Sequence, residues 1–155
     1  MKKVIATEAP EFRTSTVQIA AWVYAAVLTM MAVGQLYAFE KFIPLLQDYQ
    51  LPGGYGTATL IACLAVVAEI FALPFLLRMP LSPLMRMVSR ALCVIAPMIW
   101  IVLALHAYAA NIIPPHGGIF GSKIEVQVSL QLLLAAIYLA LALYIVYGSR
   151  QKHKK

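Results

Sequence analysis

Residues 63–77 read CLAVVAEIFALPFLL, fourteen apolar side chains around one carboxylic acid, Glu69. At a bilayer centre such an acid costs about 2.5 to 3.5 kcal/mol, and it is tolerated where it faces protein and finds a partner. A carboxyl group there can exchange a proton, hold a polar ligand, or simply bond a neighbouring helix. Other polar residues lie nearer one end of the apolar runs: Gln35, His106, and Gln127 with Gln131 at i, i+4 spacing. Glu40, His116 and Glu125 stand in the adjoining loops. Gathered together, these residues predict a shallow polar pocket that opens outward, with Glu69 beneath it. The plainer alternative makes Gln127 and Gln131 helix-to-helix glue, His106 an interfacial residue and Glu69 a structural hydrogen bond.

The surroundings of Glu69 sharpen that expectation. Ala58, Ala62, Ala65, Glu69 and Ala72 follow at spacings of 4, 3, 4 and 3, which places them on one helical face. Small residues mark close helix approach, so this face should point into a bundle. No Lys, Arg or His lies at the depth of Glu69, so an ion pair is not expected, and desolvation favours the neutral acid. Counting helical rise places Thr29 level with Glu69 and makes it the natural partner.

Positioning these groups requires membrane helices. The chain has 155 residues, of which 63% are hydrophobic and 12% charged, with a mean hydropathy of +0.84. Soluble domains carry about 25% charged residues, so the composition is that of an integral membrane protein. Four apolar runs, residues 17–39, 57–77, 91–109 and 126–147, are each near the ~20 residues needed to cross a bilayer. Backbone groups left unpaired in lipid are costly, which makes the runs helices. The first run ends without an A-x-A site and is read as a retained helix, not a signal peptide. The longest polar connection has 17 residues, so a single all-α domain with no appended soluble part is expected.

Ten of the twelve basic residues flank the runs on one side; only Lys41 and Lys123 lie on the other. The positive-inside rule then predicts an up-down-up-down four-helix bundle with both termini cytoplasmic. The net charge of +6 reflects topology and attraction to anionic lipid, and nothing points to nucleic acid. Cys63 belongs toward the outer end of the second helix and Cys93 near the inner end of the third, and they form no C-x-x-C, so neither a redox pair nor a zinc site is expected. Trp22, Tyr24, Tyr37, Tyr108, Tyr144 and Tyr147 fit an interfacial aromatic belt, and Pro74 and Pro97 should kink their helices. The outer loops, EKFIPLLQDYQLPGGYG and NIIPPHGGIFGSK, are apolar enough to cap the bundle, the first as a short interfacial helix.

The segments GQLYAFEKF from Gly34, QLP from Gln50 and AVVAEI from Ala65, with Arg78 closing the second helix, resemble the DoxX-like family of small four-helix membrane proteins. The matching positions are Gly34, Lys41, Pro52, Glu69 and Arg78 across residues 20–105, while Gln50 stands where the family has a glycine and Ile70 to Leu73 where it has a Gly-Gly pair. The resemblance implies a multi-pass subunit of a redox system in a prokaryotic inner membrane, handling a quinone or another amphipathic small molecule. Such a chain would not be an enzyme alone. It offers no haem, flavin, iron–sulfur or metal motif, so electrons would have to come from a soluble or membrane protein partner. The alternatives are a non-enzymatic interaction subunit or assembly factor, and, third, a small proton-coupled transporter.

Overall fold

In a computed structural model the protein is all-helical apart from one two-residue ribbon, and the structure describes residues 9–37, 39–112, 114, 117–122 and 126–150. His116, Lys123 and Glu125 lie outside the described residues. In chain order the elements are β1 (Glu11–Phe12), α1 (Ser15–Tyr37), α2 (Phe39–Gln47), α3 (Gly54–Leu76), α4 (Pro83–Ala109), α5 (Val128–Gly148) and β2 (Ser149–Arg150). The helices α1, α3, α4 and α5 have 21 to 27 residues and are long and apolar enough to span a membrane. Their outer surface is apolar, with Ile19, Trp22, Val33, Leu60, Leu133 and Ile137 exposed. That distribution suits a lipid surround and not water.

The interior is built largely from small side chains. Ala58, Ala62, Ala65 and Ala72 of α3 are all buried, as their spacing requires, and Ala68 joins them. In lipid the hydrophobic effect does not drive helices together, so close van der Waals contact along such faces does. α3 packs against α1, α2 and α4, and α5 closes the bundle against α1 and α4.

Six of the eight expected helix boundaries shift by one to three residues and one is unchanged, but α4 begins at Pro83, eight residues before the predicted start. The expected loop RMPLSPLMRMVSR is helical from that point. Ser82 is its N-cap, accepting from the Met85 N–H at 3.3 Å, and Pro83 occupies the first turn, where a missing N–H costs nothing. Arg86 and Arg90 therefore ride on a helix and not on a loop.

One end of the bundle is tied by the ribbon: Glu11 pairs with Arg150 and Phe12 with Ser149. The Arg13 N–H donates to Gly148 O at 3.0 Å, the Arg78 Nε donates to Pro10 O at 3.1 Å, and the Arg90 Nη2 donates to Val146 O at 3.1 Å. The other end is covered by α2 and by residues 117–121. Phe42, Ile43, Leu45 and Leu46 of α2 turn inward and are buried. Its outward face carries Glu40, Lys41, Pro44 and Gln47, so the apolar side chains of this loop cap the bundle, as expected. Gly34 lets this cap sit close, because a Cβ there would lie 2.5 Å from Phe120 O. Gly121, at φ +78, faces the Gly34 backbone in the same way.

Two prolines interrupt the long helices, and a neighbouring helix mends each gap. Pro97 has no N–H for the carbonyl of Cys93, and the Tyr24 hydroxyl donates to that oxygen at 3.0 Å. Tyr24 is accordingly a fully buried core residue and not part of an aromatic belt. Beside Pro74, the Ser89 hydroxyl accepts from the Phe75 N–H at 3.1 Å and donates to Phe71 O at 2.6 Å, bridging an opened rung of α3.

Candidate functional site

Glu69 is fully buried at the centre of a short polar network. Its Oε1 accepts from Gln35 Nε2 at 2.9 Å and from the indole N–H of Trp100 at 3.3 Å. Gln35 Nε2 also donates to the backbone oxygen of Ile119 at 3.2 Å, which links the acid to the capping loop. Ile119 is itself buried, and the Phe42 and Trp100 rings lie 6.2 Å apart beside it. Four elements thus fix one carboxyl group: α1 through Gln35, α3 through Glu69, α4 through Trp100, and the loop through Ile119.

This arrangement corrects the expected partner. Thr29 sits on the exposed face of α1 and donates to Ala25 O of its own helix at 2.8 Å. Helical rise gives depth along the axis but not direction around it, and a threonine hydroxyl is readily satisfied by the carbonyl four residues back. Gln35 takes the place instead. It was expected in a shallow layer above Glu69, yet the two side chains bond directly. Helical side chains lean toward their own N-terminus, so depth counted on Cα positions misplaces their polar tips by several ångströms.

A second pair lies under the same cap. Gln131 is fully buried and its Oε1 accepts from the Tyr49 hydroxyl at 3.0 Å. Tyr49, in the turn after α2, is buried as well, and burial pushes its phenol above the ordinary value, so it remains a donor. Gly117 packs directly against Gln131 Oε1. Gln127 does not share the pocket: it is the extended, exposed N-cap of α5, one residue before the helix begins. It lines a separate surface cavity of about 440 Å³ with Tyr108, Asn111 and Ser129. His106 is half-buried, and no described contact joins it to Glu69. Glu40 lies exposed in the first turn of α2.

Trp100 is the neighbour of Glu69 that hydropathy alone does not single out, because its ring is largely apolar. The available signal was its place in mid-helix, away from either interface, where a buried indole N–H needs an acceptor.

Among the described residues, several buried atoms in this half of the molecule find no hydrogen-bond partner: Glu69 Oε2, Gln35 Oε1, Gln131 Nε2 and His106 Nε2. Each such group costs about 1 to 3 kcal/mol when buried and unpaired. The Glu69 and Gln35 side chains are each held through one atom, Oε1 and Nε2, and each leaves one oxygen, Glu69 Oε2 and Gln35 Oε1, for a hydroxyl-bearing molecule. Among the described residues, no group of three or more His, Cys, Asp or Glu side chains could hold a metal ion. Comparison with known protein families, with curated proteins and with solved structures finds no match for this chain.

Proposed function

We propose that this protein is a small multi-pass membrane subunit of a redox system, DoxX-like in kind, in which Glu69 and Gln35 hold the polar end of a quinol or a similar hydroxyl-bearing amphipathic molecule. The observation that carries this reading is the pair of unbonded oxygens, Glu69 Oε2 and Gln35 Oε1, on side chains whose other polar atoms are already fixed. A quinol hydroxyl would donate to Gln35 Oε1 and accept from the neutral Glu69 carboxyl, and the two side chains would hold it for a partner protein's redox centre. Entry would be from the capped end, by displacement of residues 117–121 or of α2.

The membrane setting belongs to the same proposal. An up-down-up-down bundle in a prokaryotic inner membrane, with both ends cytoplasmic, accounts for Arg13, Arg78 and Arg90 meeting at the ribbon end while Lys41 lies at the cap.

Fluorescence tests the ligand. The chain has two tryptophans, and Trp22 is exposed, so a Trp22→Phe background isolates the Trp100 signal beside Glu69. A short-chain ubiquinol or menaquinol should quench it saturably, and Glu69→Gln should weaken that binding at least tenfold. No quinol-dependent change, together with a Glu69→Gln protein indistinguishable from wild type in cells, would overturn the reading.

A second reading is favoured by the complete enclosure of Glu69, Gln35 and Gln131. In it the network only locks the cap, and the protein is a non-enzymatic interaction subunit or assembly factor. The partner would then meet the exposed face of α2, and changes at Glu40, Lys41 or Gln47 would release a stoichiometric co-purifying protein while Glu69→Gln would not.

A further inference from the structure

At the ribbon end, a cavity of about 250 Å³ lies between the start of α4, the end of α3 and the paired chain ends. Arg86, Arg90 and Ser149 supply its polar lining, and Phe75, Met87 and Pro10 its apolar lining. We propose that this cavity binds the phosphodiester head group of an anionic phospholipid, with Arg86 and Arg90 as its cationic ligands.

Charge is the first argument. Among the described residues this end carries Arg13, Arg78, Arg86 and Arg90 against a single acid, Glu11. Guanidinium groups present several N–H donors in a planar fork that matches phosphate oxygens. Arg90 commits one nitrogen to Val146 O, which steadies the side chain at the cavity while other donors remain. The start of α4 adds the positive end of a helix dipole, with Pro83 on the cavity wall and Ser82 as the cap.

Depth is the second argument, and it selects a lipid over a soluble anion. α4 has 27 residues, about 40 Å at 1.5 Å per residue, against a hydrocarbon layer of ~30 Å. Its uninterrupted apolar stretch begins only at Ala91, so the surplus of roughly two turns is the segment holding Arg86 and Arg90. That segment stands at head-group level. On its outer side Leu84 and Met87 are 67% and 65% exposed, ready to lie along acyl chains while the head group enters the cavity. Basic pockets between membrane helices at this level are suited to anionic head groups.

The test uses the full chain, purified in mild detergent and stripped of lipid. Phosphatidylglycerol, phosphatidylcholine and inorganic phosphate are titrated separately, and thermal unfolding and retained adducts in native mass spectrometry are read. Phosphatidylglycerol should raise the melting temperature saturably and remain bound. The Arg86→Gln/Arg90→Gln protein should bind it roughly thirtyfold more weakly, from about 1 kcal/mol per basic residue near the surface. Equal responses to phosphatidylglycerol and phosphatidylcholine, or an unchanged response in the double variant, would overturn the proposal. So would inorganic phosphate that matches and displaces the lipid, since the site would then serve a soluble anion. Should the double variant fail to fold, photo-crosslinking of wild type with a diazirine-bearing phosphatidylglycerol decides the matter: adducts at residues 83–90 support the site, and adducts confined elsewhere overturn it.

Discussion

The two halves of this bundle use buried polar side chains in opposite ways. Toward the ribbon end, Tyr24 and Ser89 bond to backbone atoms that Pro97 and Pro74 leave unpaired or displaced, and each repairs a helix. Toward the cap, Gln35, Glu69, Trp100, Tyr49 and Gln131 bond chiefly to one another. A side chain that mends a backbone has its role written by the proline beside it. Side chains that bond each other, and still leave Glu69 Oε2, Gln35 Oε1 and Gln131 Nε2 without a partner among the described residues, hold capacity that the described fold does not consume. Prolines account for the buried polar side chains of the one half, whereas the proposed quinol site would draw on those of the other.

That contrast is open to direct attack by substitution, monitored by thermal unfolding in detergent. The largest loss should come from Trp100→Ala, about 3 to 5 kcal/mol, because it empties a fully buried ring and removes one of the two donors to Glu69. Trp100→Phe keeps most of the volume; if it proves as damaging as alanine, the indole N–H and not the packing carries the effect. Gly34→Val should cost about 1 to 3 kcal/mol by driving a side chain into Phe120 O. Hydrogen exchange would then show faster opening of residues 117–122, with α3 near Ser89 unchanged. Equal acceleration in both regions would abolish the distinction between them.

Ser89→Ala should cost about 1 to 2 kcal/mol by orphaning the Phe75 N–H, with quinol binding at the cap unaffected. The smallest stability change is expected for Glu69→Gln, below about 1 kcal/mol, since the isosteric amide keeps an oxygen for Gln35 and Trp100. This variant should nonetheless show the largest loss of ligand binding. A Glu69→Gln protein that unfolds as readily as Trp100→Ala would make the acid a structural element and place both halves in one class.

Much of this architecture was legible in the sequence. The alanine spacing on α3 placed Glu69 on the inward face because helical period alone decides which side chains share a stripe. Apolar runs without Lys or Arg marked four membrane-length helices. The start of α4 escaped because Arg86 and Arg90 read as loop residues, although Ser82–Pro83 is itself a helix-start signal. Gln35 was among the expected site residues and is at the centre of the network, whereas Thr29 failed for want of any information on rotation about the helix axis. Gln127 failed for a similar reason: i, i+4 spacing pairs two side chains only if both lie within the helix, and α5 begins one residue too late. Tyr24 could have been separated from the aromatic belt by asking which donor serves the carbonyl four residues before Pro97.

The β1–β2 pairing has a practical consequence. With Glu11 held beside Arg150, the described chain is nearly a closed ring. A short peptide linking the two strands should close it with little strain, and the chain could then be reopened elsewhere as a circular permutant. Residues 79–82, the short link between α3 and α4, are the natural place to cut, since no helix would be severed. Two proteins fused directly to the two strands would leave from one spot, close enough for energy transfer or for split-reporter halves to reassemble.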